Sequence, residues 1–554
     1  MPNILTYWHT LQHLKAVQVY GRIWFRFRRR HVDLRPAPSR RTPCSNGWIS
    51  PVQRRQSMFG ASRFGFLNAE HDLGSDGWDD PTLDKLWRYN LHYFDDLNAA
   101  GAPSRVEWHQ AMLARWVRDT RPGVGTGWEP YPTSLRIVNW IKWQLAGNPL
   151  PAGVLDSLAA QTRWLAARLE KHLLGNHLFA NAKALVFAGS FFDGPEANAW
   201  LATGLEILER QIPEQILADG GQFERSPMYH ALALEDMLDL RNVVTVYSAA
   251  IPLPLKSRVA LWWVRIEAMR RWLRAMCHPD GGIGFFNDAA EGIAPALAEL
   301  EAYARRLGFP ENLEPFGSVT DLASSGYIRV ERPNVVALLD VGPIGPDYLP
   351  AHAHADSLTF ELSLFCQRVF VNSGTSCYGD SAERLRQRGT AAHNTVVVNG
   401  ENSSEVWAGF RVGRRAGPVG LAIQRGEPVV IRCAHAGYGH LAHRLTHTRI
   451  WKFAGNSLLL EDRLDGRFET AQARFHLHPS IRATVHRGGA GTHDVVTLAL
   501  ASGQAASMAI VSGIVRTERA TWHPAFGSSH ATTCIVVDFT SPVVQVELAW
   551  NDAA

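Results

Sequence analysis

The stretch Ser324–Val341, SSGYIRVERPNVVALLDV, marks the point where the chain changes from helical to strand-like sequence. The runs that follow are short, rich in Val, Ile, Leu and Thr, and mostly bounded by Gly, Asn, Asp or Ser. Such runs are typical of antiparallel sheets packed as a sandwich. The predicted strands are Val335–Val341, Leu358–Leu364, Val369–Asn372, Thr395–Val398, Ser457–Leu460, Ala473–Leu477, Val495–Leu500, Cys534–Phe539 and Val543–Trp550.

Upstream of this change, from about Leu83 to Leu307, apolar residues recur at the i, i+3, i+4 and i+7 spacing of amphipathic helices. The clearest segments are Leu155–Leu174, His177–Phe192 and Leu255–Cys277, with Gly/Pro breaks between segments. Because each apolar face must find a neighbour, such a series normally winds into a bundle or a toroid. The sequence therefore predicts a helical N-terminal half, a β-sandwich C-terminal half and a site in the cleft between them.

Composition limits the classes of protein that fit. The chain has 554 residues, 46% hydrophobic and 19% charged, so we expect roughly two or three domains and exclude intrinsic disorder. Its 56 basic and 52 acidic residues leave a net charge of +4, which does not predict a nucleic-acid partner but is compatible with an anionic substrate. The six cysteines are scattered, and we expect free or buried thiols.

The N-terminus lacks the apolar region and small-residue cleavage site of a signal peptide, which predicts a cytoplasmic location; a periplasmic one through an unrecognised export route stays open. The sequence has no run of about 20 apolar residues, so it predicts no membrane span. Residues from Ile4 to Val17 have amphipathic spacing and lead into the basic aromatic stretch RIWFRFRRR at Arg22–Arg30. The favoured interpretation is a helix packed on the body with a solvated basic face, and contact with a membrane surface is the alternative.

Four segments concentrate polar groups in apolar surroundings. Asn176 and His177 open a predicted helix, where the asparagine could also be a simple cap. Tyr229 follows two glycines and a Glu/Arg pair, although a core tyrosine is the alternative. In AHAHAD, a strand would place His352, His354 and Asp356 on one face, which suggests a metal or acid/base site, and His393 could add a third ligand.

At these residues the chain resembles the heparinase II/III-like polysaccharide lyases. The resemblance implies an incomplete α/α toroid followed by an antiparallel β-sandwich, and β-elimination at a uronic acid of an anionic polysaccharide or oligosaccharide. With it we divide the chain into a helical extension (1–80), a toroid (81–320) and a β-sandwich (321–554). The matching motifs, in family order, are LWRYNLHYFDDL, GNHLFANAKALVFAG, DGGQFERSPMYH, PDGGIGFFNDA, HAHADSLTFELS, VNSGTSCYG and TAAHNTVVVNGENSSEVWAGFRVGRRA.

The resemblance also implies catalytic roles. Asn176, with His177 beside it, matches the position that neutralises the substrate carboxylate, so that charge developing after C5 deprotonation spreads onto it as an enolate. Tyr229 matches the tyrosine that takes or returns a proton, and His352 matches a second acid/base on the sandwich.

Four further residues are expected to contact or support the substrate: Glu224, Arg225, His230 and Tyr378. A phenol with an ordinary pKa of about 10 is a poor base unless nearby positive charge favours its phenolate. Arg225 or His230 would supply that charge.

The implied chemistry requires no cofactor, but relatives with a structural zinc hold it at positions that read His354, Asn372 and His393 here. The relatives have Asp where this chain has Asn372, and an amide is the weaker ligand. We therefore expect weak or absent zinc, with Asn372 hydrogen-bonding a histidine ring, or a site completed by Asp356.

Two other functions remain open. Glycoside hydrolysis would need paired carboxylates, for which Glu224 and Asp288 are the candidates. A non-catalytic glycan-binding or assembly protein of an exopolysaccharide or cell-envelope pathway would keep the fold without the reaction.

Overall fold

The computed structural model describes residues 4–27, 31–44, 47–74, 77–311, 314–441, 445–489 and 492–551. Helices dominate as far as Arg306, and strands dominate from Val319. In the described residues the α-helices are α1 (Ile4–Leu11), α2 (Ala16–Phe27), α3 (Lys85–Tyr93), α4 (Val106–Asp119), α5 (Pro130–Leu145), α6 (Ala152–Ala167), α7 (Gly175–Phe191), α8 (Pro195–Gln215), α9 (Pro227–Val246), α10 (Leu253–Ala260), α11 (Trp262–Ala275), α12 (Leu297–Arg306) and α13 (Ala382–Arg388).

Helix α7 is the centre of the helical half. It packs against α5, α8 and α9, and nearly all of its side chains are buried, so it is surrounded by other parts of the protein on every face. Its buried Lys183 is neutralised by Asp236 and Asp239, each 2.6 Å away. Long amphipathic helices wrapped round one apolar helix bury a single continuous core.

The strands form antiparallel sheets. Within the described residues the sheet orders are β3-β4-β5-β6-β7, β11-β12-β13-β14-β21-β18-β17-β16 and β19-β20-β15-β8, with β1-β2 and β9-β10 as separate hairpins. The strands are β1 (Arg63–Phe66), β2 (Ala69–Asp72), β3 (Val319–Leu322), β4 (Tyr327–Arg332), β5 (Val335–Asp340), β6 (Phe360–Leu364), β7 (Gln367–Phe370), β8 (Val396–Val398), β9 (Val406–Trp407), β10 (Arg411–Val412), β11 (Pro418–Gln424), β12 (Val429–His435), β13 (Thr446–Ala454), β14 (Ser457–Asp465), β15 (Ala471–His476), β16 (Arg482–His486), β17 (Asp494–Ala499), β18 (Ala505–Ile510), β19 (Ile514–Trp522), β20 (His530–Phe539) and β21 (Val543–Trp550).

The change of structure predicted near Ser324 is confirmed, since α12 ends before it and β4 and β5 form its antiparallel pair. The predicted helix Leu255–Cys277 is two helices, which meet at Leu261. Residues 1–80 are less helical than expected: helix α2 ends at Phe27, and β1 and β2 form a hairpin further on. Arg28–Arg30 lie outside the described residues. No described helix is long and apolar enough to cross a membrane.

The two halves meet through apolar and polar contacts. Trp272 and Phe286 from the helical half share a cluster with Leu338 from the first sheet. The Trp272 indole donates to the Ser325 hydroxyl at 2.8 Å. Buried His278 bonds to Glu361 at 2.9 Å. The candidate site lies along this junction.

Candidate active site

Tyr229 stands where the two halves meet. Helix α9 begins at Pro227 and is capped by Ser226, whose hydroxyl accepts from the Tyr229 amide. The Tyr229 hydroxyl lies 2.9 Å from that of Tyr378, in the sheet half. Its ring stacks on His352, with centroids 4.0 Å apart. The structure thus brings together Tyr229, His352 and Tyr378, three of the residues that the sequence analysis named for the site.

The surroundings of Tyr229 favour its protonated form. Burial raises its pKa well above the usual value, and the neighbouring Tyr378, Asp288 and Glu224 add to the effect. A positive charge, Arg384, lies on the far side of Tyr378, with its guanidinium 5.0 Å from the Tyr378 ring. Tyr229 is therefore a proton donor in the free protein.

The prediction that His230 contacts the substrate is wrong. His230 is fully buried, accepts from the Gln222 amide at 3.2 Å, and bonds to the Met269 carbonyl at 2.9 Å. Burial lowers its pKa to about 3, so it is neutral and supplies no charge to Tyr229. Its role is structural.

Arg225 is also not the predicted partner of Tyr229. Its guanidinium donates to the Pro343 carbonyl, and its own carbonyl accepts from the Tyr327 hydroxyl at 2.6 Å. Arg225 has a positive φ of 59°, so it forms a tight turn just before α9. It fastens the helical half to the loop after β5.

His352 is oriented by Asp288. Its Nδ1 lies 2.8 Å from Asp288 Oδ2, and Arg384 donates to both oxygens of the same carboxylate. Burial opposes ionisation of Asp288, but Arg384 and the two histidines hold its pKa well below the usual range. A carboxylate only accepts, so Nδ1 of His352 carries the hydrogen, and Nε2 has a lone pair whenever the ring is neutral.

These contacts remove Asp288 as a hydrolytic residue. It is fully buried, and its oxygens accept from Arg384, His352 and His354. A glycosidase acid or base must instead reach the substrate. The carboxylate pair proposed for hydrolysis, Glu224 with Asp288, is therefore not formed.

Glu224 faces the other nitrogen of His352. Its Oε2 lies 3.6 Å from His352 Nε2 and has no hydrogen bond within the described residues. Burial raises the Glu224 pKa, although His352 partly opposes the shift. Its other oxygen accepts from the Gln222 amide at 3.3 Å.

Asn176 and His177 approach the site from the start of α7. A Cβ atom on Gly175 would lie 3.5 Å from Glu224 Oε1 and would clash with Leu349, so glycine is needed for this approach. His177 bonds through Nδ1 to Glu170 at 3.1 Å and stacks on Tyr131. Burial works to lower the His177 pKa, but Glu170 raises it overall. A charged His177 beside an amide can neutralise a carboxylate.

The segment from Ala351 to Asp356 is a loop, so the predicted strand geometry is wrong. His352 and His354 nevertheless meet, because both bond to Asp288. His354 Nδ1 lies 3.1 Å from His393 Nε2, and Asp356 offers an oxygen within 4.8 Å of both. The expected proximity of His354 and His393 is confirmed.

The hydrogen bonds at this pair leave two lone pairs facing each other. His354 Nε2 must donate to the Asp288 carboxylate, and His393 Nδ1 must donate to the Gly389 carbonyl at 2.9 Å. Burial lowers the pKa of both rings, that of His354 to about 4. A cation between neutral rings in this arrangement would be bound by both lone pairs, and histidine ligands of metals donate their second N–H in this way.

A second buried histidine pair shows the contrast. His435 Nδ1 accepts from the Gly437 amide at 3.1 Å, so its Nε2–H is free to donate to His447 Nδ1 at 3.2 Å. His447 then donates to Asp462 at 2.7 Å. All four ring nitrogens of His435 and His447 thus have a partner without a cation.

Asp356 is a better third metal ligand beside His354 and His393 than Asn372, the residue expected from the resemblance. Asp356 Oδ1 is buried and lacks a hydrogen-bond partner in the described part of the chain. The Asn372 oxygen instead accepts from the Thr359 hydroxyl at 2.7 Å. Its predicted bond to a histidine ring is not formed among the described residues.

Three contributors were not predicted in their observed roles: Asp288 as the anchor of both histidines, Arg384 as its counter-ion and Glu170 as the partner of His177. Asp288 lies in the quoted motif PDGGIGFFNDA, so a signal was present. Arg384 is one of several arginines in α13, and nothing in the sequence distinguishes it.

Solved structures resemble this fold. Heparinase III matches with a TM-score of 0.70 over 87% of this chain and 81% of its own, at 18% identity. A chondroitin AC lyase of Streptomyces coelicolor matches with a TM-score of 0.54 over 90% of this chain and 77% of its own, at 12% identity. At these identities the likeness concerns the fold alone.

The curated relatives match this chain over different shares of their length. A heparin-sulfate lyase of Bacteroides stercoris is 27% identical over 290 residues, which is 49% of this chain and 41% of that protein. FtsZ-localized protein C of Caulobacter vibrioides is 26% identical over 456 residues, which is 75% of this chain and 74% of that protein. The chain spans about half the length of the heparin-sulfate lyases it matches.

Family models match both halves. The heparinase II/III N-terminus model covers residues 151–314, and the heparinase II/III-like C-terminal model covers residues 316–551. They adjoin at Pro315, close to the change from helix to sheet, and together they contain Asn176, His177, Tyr229, Asp288 and His352. With this fold, this site and these matches, the chain belongs to the heparinase II/III-like family.

Proposed function

We propose that this protein is a polysaccharide lyase that cleaves a uronic-acid-containing anionic polysaccharide by β-elimination. The observation that carries the proposal is the Tyr229–His352 stack, in which a protonated phenol lies against an imidazole oriented by Asp288. An acid and a base side by side are what elimination requires. Asn176 and His177 supply the group that neutralises the carboxylate.

The first step is activation of C5–H. The Asn176 amide and the His177 imidazolium donate to the substrate carboxylate, which spreads the developing charge as an enolate. Glu170 sustains the charge on His177, because their hydrogen bond raises the His177 pKa against the effect of burial.

Proton transfer then divides between the stacked residues. His352 Nε2 takes the C5 proton, the C4–O bond breaks, and the electron pair goes to the leaving glycosidic oxygen. Tyr229 protonates that oxygen, which matches the raised Tyr229 pKa. A C4=C5 double bond forms, and proton return from the His352 imidazolium to the Tyr229 phenolate restores the site.

The proposed substrate class is a glycosaminoglycan, supported by relatives named heparin-sulfate lyases. The test is incubation with heparan sulfate, chondroitin sulfate, hyaluronan and alginate, followed by ultraviolet absorbance of the unsaturated uronate. New absorbance that disappears in Tyr229→Phe supports the proposal. New reducing ends without absorbance would contradict it.

A non-catalytic envelope role is the second candidate. FtsZ-localized protein C matches a larger share of both chains than the heparin-sulfate lyase of Bacteroides stercoris does. Binding of an anionic polysaccharide without absorbance or new reducing ends, in protein of unchanged melting temperature, would favour this role.

We also propose that the helical half is an incomplete α/α toroid, with the division 1–80, 81–320 and 321–554. Packing of α7 on α5, α8 and α9 supports it.

A structural divalent cation is proposed at His354, His393 and Asp356, and the facing lone pairs support it. The ion would hold the His354 loop and take no part in proton transfer.

A further inference from the structure

Helix α2 packs on the protein through Gln18 and Phe25 and turns most of its apolar side chains to solvent. Gln18 is buried and donates to the Tyr348 carbonyl at 3.0 Å, and Phe25 stacks on His172 at 4.5 Å. On the opposite side, Tyr20, Ile23 and Phe27 are exposed, with Ile23 at 59% and Phe27 at 76%. At 100° per residue these two stripes lie on opposite faces of the helix. A helix that packed for stability alone would have the reverse orientation.

Helix α1 has the same inverted orientation. Buried Thr6 and the hydroxyl of Thr10, which donates to the Val412 carbonyl at 3.2 Å, face the sheet half. Ile4, Trp8 and Leu11 are exposed on the far side, Trp8 at 62%. We call the exposed apolar residues of the two helices the outer face: Ile4, Leu5, Trp8, Leu11, Val19, Tyr20, Ile23, Trp24 and Phe27.

The charged side chains that the two helices carry have one sign. The described residues of the two helices and their connection carry Lys15, Arg22 and Arg26 and no acidic residue, and the sequence continues with Arg28–Arg30. Lys15 is paired with Glu214 at 2.5 Å, whereas Arg22 and Arg26 are exposed on the flank of α2, between Gln18 and the apolar stripe. Exposed aromatic and aliphatic side chains flanked by arginine are typical of helices that lie in a membrane interface.

We propose that the outer face docks on an anionic lipid surface, with α1 and α2 lying parallel to it. The apolar side chains enter the boundary between headgroups and acyl chains, and Arg22 and Arg26 contact lipid phosphates. The buried Gln18 and Thr10 contacts keep the helices on the body, so the whole protein is held at the surface.

The test is co-sedimentation of the full chain with vesicles of equal parts phosphatidylglycerol and phosphatidylcholine. We expect Ile23→Asp with Phe27→Asp to raise the half-saturating lipid concentration at least about tenfold, because two apolar contacts are lost. The matched control is Leu253→Asp with Leu261→Asp, which removes two equally exposed leucines (82% and 65%) elsewhere and should change nothing.

A second pair of variants tests the charge. Arg22→Gln with Arg26→Gln should weaken binding about thirtyfold, since each basic residue near an anionic surface contributes about a factor of five. Arg118→Gln with Arg210→Gln removes the same charge from exposed arginines elsewhere and should leave binding unchanged.

Failure of the unmodified protein to sediment with these vesicles would overturn the proposal, as would equal losses in the control variants. Sedimentation velocity without lipid tests a second copy as the occupant. A dimer that dissociates in the variant Ile23→Asp with Phe27→Asp would show that the outer face binds a second copy of the protein instead of lipid.

Discussion

The hydroxyl oxygens of Tyr229 and Tyr378 lie 2.9 Å apart, and their hydrogen bond joins the first turn of α9 to the loop that follows β7. The acid of the proposed reaction is thus held by one half of the protein against a partner from the other. Tyr378 also lies over Arg384, the counter-ion of Asp288, so the same contact connects Tyr229 with the group that orients His352.

This relationship predicts different effects for the two tyrosines. Tyr229→Phe should lower turnover at least about a hundredfold, because it removes a positioned acid. Tyr378→Phe should cost less, since only a hydrogen bond to that acid is lost. Initial rates from the absorbance assay and melting temperatures measure both. Near-normal turnover in folded Tyr229→Phe would discard the assignment of Tyr229.

His352 and Asp288 should separate activity from stability. His352→Ala should lower turnover at least about a hundredfold with little loss of stability. Asp288→Asn should lower the free energy of unfolding by about 3–5 kcal/mol, because buried Arg384 loses its anion. Urea denaturation with activity assays distinguishes the two. A His352→Ala variant that loses only stability would make His352 structural.

The Glu170–His177 pair predicts a pH effect. The proposed mechanism needs His177 protonated, so the rate should fall as pH rises through the His177 pKa. Glu170→Gln removes the charge that raises this pKa, and burial then lowers it, so the alkaline limb of kcat/KM should move to lower pH. Glu129→Gln removes a weaker contributor and should move the limb less. An unchanged limb in Glu170→Gln would contradict the role of His177.

The metal proposal predicts that elemental analysis finds zinc in protein purified without chelator. The Asp356→Asn variant should bind less zinc. His447→Gln, in the matched pair that needs no cation, should leave the metal content unchanged. Adding Asn372→Asp to Asp356→Asn should restore binding, because ligand charge is a main contribution to affinity. Metal absent from all these forms would mean that a proton is shared by His354 and His393.

Periodicity predicted the two halves well, because helix and strand patterns report local burial. α7 and β5 are where the sequence placed them, whereas β4 was not predicted as a strand. The direction in which a side chain points is harder to predict from the sequence. Tyr229 and His230 are adjacent, but about 100° of rotation on α9 turns Tyr229 to His352 and His230 into the core against Trp272.

Other parts of the site depend on tertiary contacts that no local pattern encodes. His352 and His354 converge because both reach Asp288, more than 60 residues earlier, rather than because they share a strand face. The first two helices were expected to pack their apolar side on the body. Hydrogen bonds from Thr10 and Gln18 reverse that orientation, and amphipathic spacing alone gives no sign of which face turns inward.

The buried Asp288–Arg384 pair has a consequence for dissecting the chain. A fragment that ends at residue 320 would keep Asp288 without its cations, and a fragment that begins at 321 would bury Arg384 without its anion. Each piece would contain an unpaired ion where the intact chain has the Asp288–Arg384 pair. The two halves should therefore unfold in one cooperative transition, and exchanging one half between relatives should succeed only when residues 288 and 384 are transferred as a matched set.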